Sequence, residues 1–279
     1  MTALPMIGPV QAPFLHVATF NIRRRMPPIG PRTADRWAGR APAVAALLDA
    51  ERPHLLGTQE ALADQDRFLR GALGAGYTRL GHGRDANGQG EGTPLFFDSA
   101  RLELLDWQQQ ALSDTPDVPG SRSWGNITPR ELVRATFRDR ATGIRFLAIN
   151  THLDNMSRRS RVRAADALRA LVEAQPLPAV ITGDFNSGED TAPLTALLKG
   201  GGLQDAWGAA HTRLTAEFGT FPNYRDPRRD RKRIDWIVVS RGVDVSRIGI
   251  NTARPGGVWA SDHMPVQAVI TLPTPDGAS

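Results

Sequence analysis

The sequence predicts an α/β protein built on mixed β-sheet, and three observations support this prediction. Apolar stretches of strand length recur from residue 14 to residue 272, and segments with helical spacing lie between some of them. No repeat or low-complexity linker divides the 279 residues, of which 41% are hydrophobic. A chain of this size can bury one large core. We therefore expect a single domain over residues 1–279, with a core over about 14–273 and short flexible termini.

Nine stretches have the length of β-strands, and several are rich in Val, Ile, Phe or Thr. They are residues 14–20, 54–59, 94–98, 101–107, 132–139, 144–150, 177–183, 233–240 and 266–272. Two further segments, 34–50 and 157–174, place their apolar residues at helical spacing opposite a polar face. Ser157 is the expected N-cap of the second helix. The long loops at 81–93, 113–130 and 219–232 are expected on one side of the domain.

Composition excludes several classes of protein. The chain contains no cysteine, so a disulfide scaffold, a thiolate metal site and a cysteine nucleophile are excluded. The first residues lack a basic segment followed by an apolar one, and no apolar run approaches the roughly 20 residues that span a bilayer. We expect a cytoplasmic, monomeric protein without a membrane span.

The basic residues are almost all arginine. The net charge is +5, and Lys199 and Lys232 are the only lysines among 34 basic residues. Guanidinium groups bind phosphate in a bidentate way, which suits a polyanionic partner. A general bias toward arginine on the surface explains the same composition, and the charge alone favours that explanation.

Polar residues gather at the ends of the predicted strands, which is typical of a site built across several strands. These residues are Asn21, Gln59, Glu60, Asn150, His152, Asp154, Asp184, Asn186, Asp235, Asp262 and His263. Each one alone fits a turn, a cap or a buried polar contact. Asp235 is the hardest to explain in that way, because a carboxylate in a central strand needs a partner.

The chemistry of this set indicates phosphoryl transfer. Asn21, Glu60, Asp184 and Asp262 offer oxygen atoms, which Mg²⁺ and Mn²⁺ prefer. Two histidines beside carboxylates suit proton transfer near neutral pH. A hard cation with such groups can neutralise charge on a phosphate while a base activates water.

Six motifs together carry a resemblance to a known family. They are "TFNIRR", "GTQEAL", "NTHLDN", "GDFNS", "RIDWIVVS" and "SDHMPV", in that order over residues 19–266. In this order they resemble the endonuclease/exonuclease/phosphatase superfamily, which has the deoxyribonuclease-I-like fold. The resemblance implies a four-layer α/β sandwich of two packed mixed β-sheets flanked by helices, with the active site at one end.

The resemblance also implies roles for the residues within the motifs. Asn21 and Glu60 would hold the divalent metal, and Asp262 would complete the metal or leaving-group environment. Asp184 would orient or deprotonate the attacking water. Asn186 would contact the phosphate, and His152 would contact it or act as a general acid. His263, oriented by Asp235, would hydrogen-bond the scissile phosphate or take part in proton transfer.

The stretch 91–137 is similar to stand-alone bacterial members of the superfamily. That similarity makes Glu91, Trp124 and Arg130 candidates for the substrate pocket, with Arg130 as a phosphate clamp; a surface arginine is the alternative. The missing tyrosine-containing loop separates the sequence from abasic-site endonucleases.

Two arginine clusters add candidates for substrate binding. Six basic side chains lie just ahead of Asp235, within residues 224–235. This segment could bind a polyanion, and a solvated loop is the alternative. Arginines at the start of the helix over 157–174 oppose the helix dipole. An anionic ligand beside Arg161 and Asp154 would offset this cost, and nearby carboxylates are the alternative.

We therefore expect a Mg²⁺- or Mn²⁺-dependent phosphoesterase that uses in-line attack by water on a phosphodiester or a phosphomonoester. Its substrate is either a small phosphate ester or a nucleic acid, in which case the protein is a nuclease. A non-catalytic phosphate-binding module on the same fold is the third hypothesis. It is disfavoured because every motif carries a chemically competent side chain.

Overall fold

The computed structural model describes residues 4–27 and 33–274, so the outermost residues of the predicted flexible termini lie outside it. The strands are β1 (Leu15–Asn21), β2 (Leu55–Gln59), β3 (Tyr77–Leu80), β4 (Leu95–Asp98), β5 (Leu102–Ala111), β6 (Glu131–Asp139), β7 (Arg145–His152), β8 (Ala179–Asp184), β9 (Leu203–Asp205), β10 (Thr212–Arg213), β11 (Asp235–Ser240), β12 (Asp244–Ile250) and β13 (Val266–Thr271). The helices are α1 (Trp37–Glu51), α2 (Ala63–Leu73), α3 (Arg158–Glu173), α4 (Ala192–Leu197) and α5 (Ala206–Ala209).

The strands form two mixed sheets. The first sheet has the order β10-β12-β13-β1-β2-β4-β3, and the second has the order β5-β6-β7-β8-β11-β9. Parallel pairs occupy the centre of both sheets, β1 with β2 and β7 with β8, while antiparallel neighbours flank them. The parallel pairs matter for function because they bring the ends of two strands to the same edge.

Alternating side chains along the strands divide the apolar core into three layers. Val17 of β1 and Val180 of β8 point into the core between the sheets, whereas their neighbours face the helices. Ala18 packs in the cluster shared with α1 and α2, and Ile181 packs in the cluster shared with α3. The period of two that strands impose therefore produces a four-layer α/β sandwich, as predicted. Within the described residues no helix is long and apolar enough to cross a bilayer.

All nine predicted stretches form strands, and both predicted helices are present as α1 and α3. The Ser157 hydroxyl accepts a hydrogen bond from the Ser160 amide at 3.1 Å, so the N-cap prediction is also confirmed. The sequence analysis missed four strands and three helices. The missed strands are β3, β9, β10 and β12, which are short or, in β12, interrupted by Gly249 and a change of register. The missed helices are α2, α4 and α5.

A buried polar cluster joins the two sheets just below the strand ends. The Asn150 side-chain oxygen on β7 accepts hydrogen bonds from Gln59 of β2 at 2.8 Å and from Thr182 of β8 at 3.0 Å. The Asn150 amide nitrogen donates to the carbonyls of Thr58, Thr93 and Pro94. The sheets approach closely here because β2 carries Gly57 at the crossing. A Cβ atom on Gly57 would lie 2.3 Å from the Thr182 hydroxyl and 2.4 Å from the Asn150 oxygen.

We predict that Gly57→Ala destabilises the protein by about 2 kcal/mol or more, because the added methyl group must displace hydrogen-bonded side chains from a packed interior. Urea unfolding measures this effect. Gly71→Ala is the matched control, since Gly71 lies exposed on α2 with nothing near its Cβ position. That substitution should stabilise the helix by about 0.5–1 kcal/mol. Equal effects of the two substitutions would contradict the close approach at Gly57.

A neutral histidine is buried at the start of β1. The His16 side chain is fully buried, and its Nδ1 donates to the carbonyl of Gly8 at 3.0 Å. Burial is the main reason why the pKa of His16 falls to about 3, since a charged imidazole would lose its hydration there. The unfolded chain binds a proton at His16 near pH 6.5, whereas the folded chain does not. Stability is therefore complete above that pH and declines as the pH falls toward 3.

We predict that His16→Gln reduces the loss of stability in acid. Between pH 7.5 and pH 5 the wild type should lose about 2 kcal/mol more of its free energy of unfolding than the variant, because glutamine takes up no proton. Urea titrations at the two pH values provide the test, with His211→Gln as a control at an exposed histidine. Parallel losses in the wild type and His16→Gln would show that His16 does not contribute.

Candidate active site

The strand ends of both sheets meet at one end of the sandwich. In the first sheet, Asn21 at the end of β1 lies opposite Gln59 of β2, and Glu60 follows directly. In the second sheet, Asp184 at the end of β8 lies between His152 of β7 and Asp235 of β11. The loop before β13 adds Asp262 and His263 to this edge. The structure thus brings together residues that lie as much as 242 positions apart in the sequence.

A histidine–aspartate pair lies at the centre of the site. The His263 Nδ1 atom is hydrogen-bonded to the Asp235 carboxylate at 2.9 Å, which fixes the imidazole plane. The other ring nitrogen, Nε2, lies 3.7 Å from the Asp184 carboxylate. The ring of Phe221 packs against the imidazole with the centroids 4.8 Å apart. His263 is therefore oriented on one side by a buried carboxylate and on another by an aromatic ring.

Asp184 is the most connected carboxylate of the site. It accepts a hydrogen bond from the Asn21 amide at 3.0 Å and one from the backbone N–H of Asn186 at 2.9 Å. The His152 Nε2 atom lies 3.5 Å from the Asp184 carboxylate. Asn186 in turn lies 3.1 Å from His152 Nε2 through its side-chain nitrogen. The Asp184 carboxylate is thus held between two imidazoles.

The two histidines have opposite electrostatic surroundings. Burial alone would lower the pKa of His263, but Asp235 and then Asp184 outweigh burial and raise this pKa to about 10. Burial and the nearby Arg130 and Arg84 hold the pKa of His152 well below its ordinary value. His263 is therefore an imidazolium donor at neutral pH, whereas His152 is a neutral imidazole.

The pKa values of two carboxyl groups in the site are shifted as well. Burial, followed by repulsion from Asp235, raises the pKa of Asp184 to about 7. Burial likewise raises the pKa of Asp262, and the charge of Glu60 adds to that effect. A buried group of anions with too few cations is the environment in which a bound divalent ion stabilises a protein.

The side chains of Glu60 and Asp262 suit a hard divalent cation. Both are carboxylates on the cavity wall, and both lie near the guanidinium of Arg23, at 3.7 Å and 3.5 Å respectively. Their all-oxygen chemistry fits Mg²⁺ or Mn²⁺. Asn21 donates its amide to Glu60 at 3.1 Å, while its oxygen accepts from the Arg23 backbone. In this arrangement Asn21 orients carboxylates, and its role as a metal ligand stays a prediction.

A second group of possible ligands consists of Asp184, Asp235 and His263, whose ligand atoms lie within 4.8 Å of one another. These atoms could hold a metal ion, but the hydrogen bond between His263 and Asp235 already uses a nitrogen and an oxygen of the group. Proton transfer explains the pair better than metal binding does, because this hydrogen bond already orients the imidazole.

The site borders a cavity of about 440 Å³, a size typical of small-molecule sites, and the cavity lining includes Glu60, Asp184, Asp262 and His263 but not the buried Asp235. Its far wall is rich in arginine. Glu91 bridges Arg24 at 3.1 Å and Arg84 at 2.9 Å. Arg130 lies beside them, held by Asp154 through a contact of 3.2 Å. The predicted pocket residues Glu91 and Arg130 therefore line the cavity.

Three other predicted substrate contacts lie behind the cavity wall. Trp124 is buried in the outer core, where its indole N–H donates to Asp114 at 2.8 Å. Arg161 donates to the backbone carbonyl of Asp154 at 2.8 Å, and none of Trp124, Arg161 and Asp154 lines the cavity. Asp154 contacts Arg130 from behind. Asp154 therefore supports the wall through Arg130, and its carbonyl accounts for Arg161 at the helix start.

The sequence analysis missed several residues of the site. Phe221, Arg23, Arg24 and Arg84 line the cavity, and the buried Thr220 lies directly below it. The Thr220 hydroxyl accepts hydrogen bonds from the amides of Ile234 at 2.9 Å and Asp235 at 3.1 Å. Arg23 and Arg24 stand inside a quoted motif and could have been found there. Thr220 has no signal in the spacing of the sequence, because its role depends on a loop folding back onto β11.

Three residues at the site have a left-handed backbone, which non-glycine residues rarely adopt. They are Glu60 with φ 63°, Asn186 with φ 49° and Arg23 with φ 55°. Each follows the end of a strand and turns its side chain toward the cavity. Such strain is typical of functional sites, where surrounding contacts compensate for it.

Comparison with known proteins agrees with this geometry. Residues 18–263 match the endonuclease/exonuclease/phosphatase family. The chain belongs to this family. Members of the endonuclease/exonuclease/phosphatase family hydrolyse phosphoester bonds and are generally metal-dependent.

Two solved bacterial structures are similar over nearly the whole chain. A family protein from Bacteroides thetaiotaomicron is 31% identical, with a TM-score of 0.84 and coverage of 92% of this chain and 94% of that one. The mannosyl-6-phosphatase Bt3783 from the same species is 30% identical, with a TM-score of 0.83 and coverage of 92% and 99%. Among curated proteins, Protein angel of Drosophila melanogaster is 33% identical over 121 residues, which is 42% of this chain and 33% of that protein.

We predict that Thr220→Val lowers stability by about 2 kcal/mol, because two buried amides lose their acceptor. Thr220→Ser keeps the hydroxyl and should restore most of the loss. Urea unfolding measures the effect, and the imidazole NMR signals of His263 report whether Asp235 moves. Similar stability of the valine and serine variants would rule out the hydrogen-bonding role of Thr220.

Proposed function

We propose that this protein is a metal-dependent phosphoesterase that hydrolyses a small phosphate ester by direct attack of water. The observation that carries the proposal is the position of Asp184 between His152 and the His263–Asp235 pair, at the floor of a cavity. A carboxylate and an imidazolium so close together can serve the two sides of one reacting phosphate.

The proposed chemistry assigns one task to each group. The Asp184 carboxylate orients a water molecule and accepts its proton as the new P–O bond forms and the ester P–O bond breaks. The His263 imidazolium donates a hydrogen bond to a phosphate oxygen, and Asp235 keeps the ring in place. The Asn186 amide contacts the phosphate, and the departing oxygen takes a proton from the solvent. No covalent intermediate with the protein is required.

Glu60 and Asp262 are the residues proposed to hold the cation, with Asn21 beside them. A bound Mg²⁺ or Mn²⁺ would supply positive charge to the phosphate and the leaving oxygen. His152 is neutral, so it is suited to accept a hydrogen bond from Asn186 and to align that amide.

A phosphorylated sugar is the small ester that we favour. The similar protein Bt3783 is a mannosyl-6-phosphatase, and its likeness extends over 99% of its own length. The far wall of the cavity presents Glu91 between Arg24 and Arg84. In such an arrangement the carboxylate can accept hydrogen bonds from the hydroxyl groups of a sugar, and the guanidinium groups can donate hydrogen bonds to them.

A nuclease is the second candidate, and the exposed loop over residues 224–232 favours it. Arg225, Arg229 and Arg231 are exposed there, in the segment that leads from Phe221 at the cavity to Asp235. Such a surface would bind a phosphate backbone in a salt-dependent way.

A substrate panel is the main test of the proposed function. The EDTA-treated protein, reloaded with Mg²⁺ or Mn²⁺, should hydrolyse sugar phosphates such as mannose 6-phosphate faster than bis-p-nitrophenyl phosphate, single-stranded DNA or RNA. Preference for DNA or RNA, with a rate that falls steeply with salt and drops in Arg229→Ala but not in the distant Arg138→Ala, would establish the nuclease instead.

We predict that Asp184→Ala, His263→Ala and Glu60→Ala each lower kcat by about 10²-fold or more, because each removes a group that acts on the reacting phosphate or holds its cation. Asp106→Asn, an exposed carboxylate on β5, should keep the wild-type rate. Circular dichroism checks that each variant is folded. Full activity in excess EDTA would refute the metal-dependent reaction.

A further inference from the structure

One arginine is placed among the carboxylates that are proposed to hold the cation. The Nη1 atom of Arg23 lies 3.7 Å from Glu60, and its Nε atom lies 3.5 Å from Asp262. Asp262 and then Glu60 are the anions that most raise the pKa of Arg23 against the effect of burial. The guanidinium therefore neutralises the same two carboxylates that a divalent ion would bind.

The same guanidinium has a third anionic partner outside this group. Its Nε atom is also hydrogen-bonded to Asp35 at 3.3 Å. Asp35 is held in place by the hydroxyl of Tyr224, which donates to it at 2.9 Å. Asp35 does not line the cavity, so a guanidinium paired with Asp35 alone would leave Glu60 and Asp262 available.

The backbone of Arg23 is fixed by hydrogen bonds, whereas its partly exposed side chain is held by longer contacts. Its N–H donates to Asn21, and its carbonyl accepts from Arg40 at 3.0 Å and from Gln65 at 2.9 Å. The side chain, in contrast, is 27% exposed, and its contacts to Glu60 and Asp262 are longer than ordinary hydrogen bonds. A long side chain on a rigid attachment point can exchange partners without any change in the fold.

We propose that Arg23 is a built-in competitor of the divalent cation: its guanidinium neutralises Glu60 and Asp262 in the metal-free protein and withdraws toward Asp35 when the ion binds. This inference rests on the proposed function, since it takes Glu60 and Asp262 as the groups that hold the ion. Its consequence is that Arg23 weakens the metal affinity and keeps the empty site folded.

The test measures Mn²⁺ binding to EDTA-treated protein by isothermal titration calorimetry at pH 7.5. Arg23→Gln should bind Mn²⁺ about tenfold more tightly, because a positive charge about 4 Å from the carboxylates is removed. The nearby Arg25→Gln is the matched control. Arg25 does not line the cavity and pairs with Asp64 through its exposed side chain, so the substitution should leave the Mn²⁺ affinity within about twofold of the wild type.

A second substitution predicts the opposite effect. Asp35→Asn removes the alternative partner, so Arg23 stays with Glu60 and Asp262, and Mn²⁺ should bind about threefold more weakly. The double variant Arg23→Gln/Asp35→Asn should bind as tightly as Arg23→Gln alone, because Asp35 acts through Arg23. Heat-unfolding curves add a measure of stability: Mn²⁺ should raise the Tm of Arg23→Gln more than that of the wild type.

The outcomes separate this inference from the proposed function. Mn²⁺ binding that is unchanged or weaker in Arg23→Gln overturns the inference and leaves the phosphoesterase proposal intact. An Asp35→Asn effect that persists without Arg23 also overturns it. Absence of Mn²⁺ binding in the wild type and in every variant overturns the metal-dependent function together with this inference.

Discussion

The hydrogen bonds of Asn150 hold the two halves of the site in register. Glu60 and Asp262 lie in loops next to strands of the first sheet, whereas Asp184 and Asp235 belong to the second sheet. Apolar packing between sheets is tolerant of small sliding motions, but a buried amide with several partners is not, since each lost partner leaves a polar atom unsatisfied. The Asn150 amide contacts β2 and β8 at once, and the absent side chain at Gly57 permits that approach. The relative positions of the active-site residues at the strand ends therefore depend on the hydrogen bonds of Asn150 just below them.

Charge balance is the second constraint on the site. Burial opposes every ionised group there, yet nearby opposite charges raise the pKa of His263 and, together with hydrogen bonds, lower the pKa of Glu60. The local excess of anions remains, and Arg23 relieves only part of it. A site of this kind suits a cation and a phosphate together, because the ion would offset the negative charge of the carboxylates and the imidazolium would face the phosphate.

The sequence predicted most of the architecture and part of the site, and the physical reason is the same for both. The local composition indicates the strands that have a buried face, and the motifs lie where those strands end. Residues whose role depends on tertiary contact were missed or misplaced. Thr220 acts only because its loop returns to the first residues of β11. Trp124 and Arg161 lie close in sequence to residues of the cavity, but Trp124 donates to Asp114 and Arg161 donates to the Asp154 carbonyl, so neither side chain lines the cavity. The need for glycine at position 57 follows only from the close approach of the second sheet, which the sequence does not show.

The division between strands and loops also explains why chemistry is easier to infer than substrate. The groups proposed to act on the phosphate are attached at or next to strand ends, where backbone hydrogen bonds limit their positions to a small range. The groups proposed to contact the rest of the substrate lie on loops: Arg84 and Glu91 before β4, Arg130 before β6, and the arginines of 224–232 before β11. Glu91 ties Arg24 and Arg84 into a closed wall, which suits a compact ester with hydroxyl groups. The arginines of 224–232 lie outside that wall on an exposed loop, where Arg228 pairs with the nearby Asp230. A small substrate would therefore contact the closed wall, whereas an extended one would have to contact the exposed loop as well.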